Sequence, residues 1–115
     1  MAQLNIKQRQ AGDVMILDLD GEVRIGDSAT ALRSAIRELA AAGTTKILLN
    51  LGGVRYIDSS GIGELIANYT TVGRSGGQLK LLNLTQKIQD LLAITKLLTV
   101  FDVYENEGEA LSGYN

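Results

Sequence analysis

Three oxygen-bearing side chains in a row, Asp58-Ser59-Ser60, run into Gly61-Ile62-Gly63, and no other stretch of this 115-residue chain is so suited to chemistry. The apolar run Lys46-Ile47-Leu48-Leu49-Asn50-Leu51 comes before it and reads as a buried strand. Ile62, Leu65, Ile66 and Tyr69 come after it, spaced three and four apart as on one face of a helix. The triplet therefore stands where a helix begins. Backbone N–H groups are free there, and the helix dipole favours added negative charge. A hydroxyl in that place can cap the helix, bind an anion or accept a phosphate.

Self-contained nucleophilic catalysis fits poorly. The chain has no histidine and no cysteine, which removes the usual general base, the Ser-His-Asp triad, any thiolate and any disulfide. The Gly-x-Ser-x-Gly elbow is absent, leaving only Asp58, Lys46 or Lys80 to activate Ser59. No catalytic residue, cofactor or metal site is expected, and no EF-hand spacing occurs. Gly61 and Gly63 match neither Gly-x-Gly-x-x-Gly nor the P-loop pattern, so nucleotide binding is a weak reading. The two glycines each weaken a helix by about 1 kcal/mol relative to alanine. In return they leave a low surface on which another backbone could sit.

A cap needs one residue, and three candidates stand in a row. The surplus points to a presented, modifiable hydroxyl. Phosphorylation would add about −1.5 to −2 charges and three acceptor oxygens. The helix start would tolerate them, whereas a partner packed on the glycines would meet a desolvated dianion. The expected effect is loss of a partner rather than unfolding.

Bulk properties agree with a binding module. Apolar residues are 45% and charged ones 21%, the balance of an ordinary soluble domain, and residues 1–115 read as one domain. The net charge of −2 and the four tyrosines with one phenylalanine offer no basic face or stacking platform, so nucleic acid is not expected. No signal-peptide core or membrane-length apolar run is seen, so direct membrane contact is not expected and a cytoplasmic location is.

The positioning elements follow from periodicity. Leu4 to Lys7 and Val14 to Leu19 read as a hairpin around Gly12-Asp13, and Gly21 to Asp27 as a polar loop carrying Glu22 and Arg24. Asp27 or Ser28 is expected to cap a helix with Ala29, Leu32, Ala35, Ile36 and Leu39 inward, and Arg33, Arg37 and Glu38 in water. Gly43 suits its left-handed end. The strand at 46–51, a loop at 52–59 and a helix to about Val72 come next. A strand from Gln78 to Leu84 follows, then a Thr85-capped helix with Ile88, Leu91, Leu92 and Thr95 inward. A strand from Thr99 to Tyr104 and a weak helix from Glu105 to Leu111, fraying into Ser112 to Asn115, close the chain. This alternation predicts an α/β domain with a mixed, mostly parallel sheet of about five strands, four helices and an antiparallel N-terminal edge strand. Functional residues should gather at the carboxyl ends of the parallel strands.

Asp58-Ser59-Ser60-Gly61-Ile62-Gly63 after a buried strand resembles the signature of the STAS-domain anti-sigma factor antagonists of bacteria. Gly21-Glu22-Val23, Gly76-Gly77-Gln78-Leu79, the stretch from Ile88 to Phe101, and Glu109-Ala110-Leu111 are similar to further parts of the same family, so the likeness covers nearly the whole chain. The resemblance implies a substrate and binder rather than an enzyme. The unphosphorylated form would bind an anti-sigma factor that is also a serine kinase of the histidine-kinase-like ATPase fold, freeing the sigma factor. The kinase would then phosphorylate Ser59 and dissociate, and a serine phosphatase would reset the switch. Asp58, Ser60, Gly61, Ile62 and Gly63 would lie in the contact surface, with Glu22 and Arg24 beside it. One departure stands out: many members carry an aspartate where this chain has Arg24, which reverses a charge near the expected interface. The alternative is a STAS docking subunit of a signalling assembly or transporter complex, with Ser59 only a cap.

Overall fold

The computed structural model describes residues 4–114, and the expectations for Met1, Ala2, Gln3 and Asn115 lie outside them. Its elements are β1 (Leu4–Ala11), β2 (Val14–Val23), α1 (Asp27–Ala41), β3 (Lys46–Ile57), α2 (Ser59–Arg74), β4 (Gln78–Leu82), α3 (Gln86–Ile94), β5 (Val103–Tyr104) and α4 (Glu107–Ser112). The five strands form one sheet in the order β1-β2-β3-β4-β5. β1 is antiparallel to β2, and every later pair is parallel. The mixed α/β architecture is the expected one.

The sheet separates two apolar layers. Leu17, Leu19, Ile47, Leu49, Leu51 and Leu81 pack beneath α1, α2 and α3 in the main core. Val14, Ile16, Leu48 and Leu82 face the other way and meet Ala110 of α4. These alternating residues produce the strands' unbroken apolar look, because a parallel sheet covered on both faces buries both sets of side chains.

The main correction concerns strand ends. Residues 52–57, expected in a loop, continue β3, and residues 21–23 continue β2: Val54 pairs with Gly21, Tyr56 with Glu22 and Ile57 with Val23. Two register shifts, between Asp18 and Asp20 and between Gly21 and Glu22, place extra residues in β3. Each such bulge moves the alternation out of phase, so Val54 and Ile57 still reach the core although the period-2 pattern looks broken.

Other differences are local. α1 starts from Gly26 with no side-chain cap, because Ser28 is buried and its hydroxyl bonds the backbone of Arg24 instead. Gly43 does end the helix with φ 90°, while Thr44 N–H bonds the Leu39 carbonyl. Arg33 does not simply face water: Nη2 lies 2.7 Å from Oε1 of Glu64, a carboxylate 3% exposed on α2. Thr85 caps α3 as expected, but Thr95 is exposed and bonds its own helix. The last strand shrinks to two residues, since Leu97, Leu98 and Phe101 are used to pack a turn against the core. The C-terminus does not fray through the described residues: Ser112 lies in α4, and the Tyr114 hydroxyl donates to the Ile47 carbonyl. Burial holds the Tyr114 phenol well above its usual titration range.

Candidate functional site

Asp58 is the hinge between β3 and α2. Its backbone is extended, and its carboxylate accepts the Gly61 N–H at 2.8 Å, forming the N-cap. With capping done by Asp58, Ser59 and Ser60 become the first two helical residues. Both are exposed, and neither hydroxyl has a hydrogen-bond partner among the described residues. The first N–H groups of a helix lack intrahelical acceptors, so these hydroxyls sit where added negative charge is best tolerated.

The two glycines play opposite parts. Gly61 is buried, and a Cβ there would lie 2.5 Å from the Val23 carbonyl oxygen and 2.6 Å from Ile57 Cγ1. Only a residue without a side chain lets α2 start this close to β2. A Cβ at Gly63 would meet nothing within 4 Å, and the residue is exposed. The bare surface expected at both glycines therefore exists at Gly63 alone. Ile62, expected in the contact surface, is 4% exposed and packs in the main core. The presented face is narrower than the hexapeptide: Ser59, Ser60 and Gly63, with Asp58 half-buried behind them.

Glu22 and Arg24 do lie beside this face. The end of β2 is tied to the helix start through Asp58 N–H and the Val23 carbonyl, 3.4 Å apart. Glu22 belongs to the strand, whereas Arg24 follows it, and Ser28 Oγ both accepts the Arg24 N–H at 2.9 Å and donates to its carbonyl at 3.1 Å. That clasp fixes the backbone while the guanidinium reaches Glu22 at 2.9 Å. The same guanidinium lies 4.3 Å from the ring centroid of Tyr56. Lys87, in the first turn of α3, lies 4.5 Å from that centroid. Tyr56 and Lys87 were not among the expected site residues. Glu22 and Tyr56 pair across the sheet, but no local signal foretells the meeting with Lys87, which lies 31 positions later in the chain.

A half-open cavity of about 400 Å³ lies elsewhere, lined by Tyr69, Gly73, Arg74, Gly77 and Asp102 among others; it touches none of the candidate residues. Among the described residues no cluster of carboxylates could hold a metal ion, and no helix is long and apolar enough to cross a membrane.

Comparison with known proteins places this arrangement. The STAS domain family model matches residues 5–110. The anti-sigma-B factor antagonist of Bacillus subtilis is 31% identical over 100 residues, covering 87% of this chain and 90% of its own. The anti-sigma F factor antagonist of Paenibacillus polymyxa is 25% identical over 109 residues, covering 95% and 93%. The fold is shared with the Bacillus protein SpoIIAA. Its unphosphorylated form superposes with a TM-score of 0.79 at 19% identity, over 94% of each chain. Its phosphorylated form gives 0.73 at 20%, over 94% of this chain and 97% of that one. With that family model spanning nearly its full length and a relative above 30% identity, the chain belongs to the STAS family of anti-sigma factor antagonists.

Proposed function

We propose that this protein is an anti-sigma factor antagonist whose docking is governed by phosphorylation of Ser59. In its unmodified form it binds an anti-sigma factor that doubles as a serine kinase, through a face centred on Ser59, Ser60 and Gly63. Gly61 and Ile62 hold that face in place from beneath. The kinase supplies ATP and the general base; this chain supplies the acceptor hydroxyl, and a serine phosphatase reverses the modification.

One observation carries the reading: the Ser59 hydroxyl is exposed in the first turn of α2 and has no partner among the described residues, Asp58 having taken the cap. A hydroxyl needed for the fold would be bonded; this one is left over. A phosphate added there meets helix N–H groups and a favourable dipole, so the domain stays folded. The same phosphate stands on the docking face, where a packed partner would have to desolvate it. Two of the relatives are named as anti-sigma factor antagonists, and SpoIIAA is known in both phosphorylated and unphosphorylated forms.

The test is incubation with the cognate anti-sigma factor kinase and ATP, followed by mass spectrometry of the peptide carrying Ser59. Phosphate on Ser59, absent in Ser59→Ala, is expected. A kinase that binds and leaves Ser59 unmodified would reassign the protein to a docking subunit without a switch.

A further inference from the structure

We propose that the Arg24–Tyr56–Lys87 stack, with Ile25 at its edge, is the specificity element that selects a kinase face carrying acidic side chains around an apolar pocket. The inference rests on the reading of this chain as a kinase-binding antagonist and adds the chemistry of the surface recognised.

Four observations on one edge of the molecule support it. Arg24 and Lys87 flank a single tyrosine ring at 4.3 and 4.5 Å from its centroid, which holds two like charges close together. Cation–π contact offsets part of their repulsion and restrains two otherwise floppy side chains before any partner arrives. Among the described residues Arg24 has Glu22 as its one carboxylate partner, and it keeps 46% of its side chain exposed. Lys87 makes no ion pair among the described residues and is exposed, so its charge is uncommitted.

Among the described residues only Glu22 is ion-paired with the stack, so Arg24, Lys87 and Glu22 together keep one net positive charge. Glu22 is bonded to Arg24, and Asp58 is engaged by the Gly61 N–H. Asp27 sits in the first turn of α1, where the helix dipole favours it, and Asp90 accepts from Gln86 on α3. Next to Arg24, Ile25 is 78% exposed, an apolar side chain largely open to solvent. An apolar knob bordered by preorganised cations matches the anatomy of an interface anchor with a charged rim. Its complement is a protein surface with a small apolar pocket and two or more aspartates or glutamates. Charge of that kind mainly sets partner choice and association rate.

The experiment measures binding of the cognate anti-sigma factor kinase to wild type, Arg24→Asp, Lys87→Glu, the double variant and Ile25→Ser at several salt concentrations. Circular dichroism checks that each variant is folded. The double variant is expected to bind at least about thirtyfold more weakly and to lose most of the wild type's salt dependence, with Ile25→Ser about tenfold weaker. An aspartate or glutamate on the kinase, reversed to lysine, should restore binding of Arg24→Asp. A double variant within threefold of wild type, with Ser59 still phosphorylated, would overturn the inference and leave the proposed function standing. Normal binding with failure to release after phosphorylation would overturn it as well, assigning the cations to the chain's own phosphate. A wild type that does not bind the kinase at any salt would remove both.

Discussion

The two polar regions of this domain are built on opposite rules. On the α4 side of the sheet, Arg9 bonds Asp18 at 2.6 Å and Glu107 at 2.5 Å. Asn50 continues the ladder to Asp18 at 2.8 Å, and Asn83 continues it to Asn50 at 3.2 Å. Every group in that chain has an internal partner. The two carboxyls are held below their usual range, chiefly by the hydrogen bonds from Arg9, and burial opposes the shift in both. Around the start of α2, by contrast, the Ser59 and Ser60 hydroxyls, and Lys87 in the first turn of α3, have no hydrogen-bond or carboxylate partner among the described residues. A ladder whose groups satisfy one another fastens β1, β2 and α4 together. Groups left over where free N–H donors cluster are available to another molecule.

That contrast can be broken most severely at Ser59. Ser59→Asp should lower affinity for the kinase by about a hundredfold or more, while Ser59→Ala binds normally and resists release by ATP. Both should melt within a few degrees of wild type, because neither hydroxyl supports the fold; calorimetry and a binding titration check the two halves separately.

Gly61→Ala should do the reverse. A methyl 2.5 Å from a backbone oxygen must push β2 and α2 apart, costing about 2–3 kcal/mol in denaturant unfolding. Gly63→Ala, two residues on, should leave stability unchanged or raise it by up to about 1 kcal/mol. It should nonetheless weaken the kinase complex, since it adds bulk only to the docking face. If both glycine variants had the same effect on stability, the division between a packed and a bare glycine would be wrong.

Arg33→Ala strands the Glu64 carboxylate, 3% exposed, between α1 and α2. A fully buried pair broken this way would be strongly destabilising, but Arg33 is itself 47% exposed and water can take its place in part, so a smaller loss of stability than for Gly61→Ala is expected in denaturant unfolding. Arg9→Ala has the smallest effect, about 1 kcal/mol near neutral pH. Its pH dependence has a definite sign. Asp18 and Glu107 titrate lower in the folded protein than in the unfolded chain, so Arg9's contribution is complete above about pH 4.5 and fades as the pH falls through the folded values. The unfolding midpoints of wild type and Arg9→Ala should converge at low pH.

Much of this was readable beforehand. The element order, the sheet class, the Thr85 and Gly43 helix ends and the exposed hydroxyl beside Asp58 all follow from local residue choice. What was hidden depends on contact across the fold. Bulges in β3 disguise Val54 and Ile57 as loop residues. Gly61 and Gly63 look equivalent until the carbonyl of Val23 is placed against one of them. Ser28 looks like a cap, yet its hydroxyl is used to clasp Arg24. Tyr56 and Lys87 become neighbours only when α3 is laid beside the end of β3.

The central claim is that the leftover hydroxyl decides what binds. It is tested most directly by comparing kinase affinity for the unmodified protein and for the same protein stoichiometrically phosphorylated at Ser59, with circular dichroism on both. The account predicts superimposable spectra and a loss of affinity of about a hundredfold or more on phosphorylation. Equal affinity for the two forms, or a phosphorylated protein that has lost its fold, would contradict it.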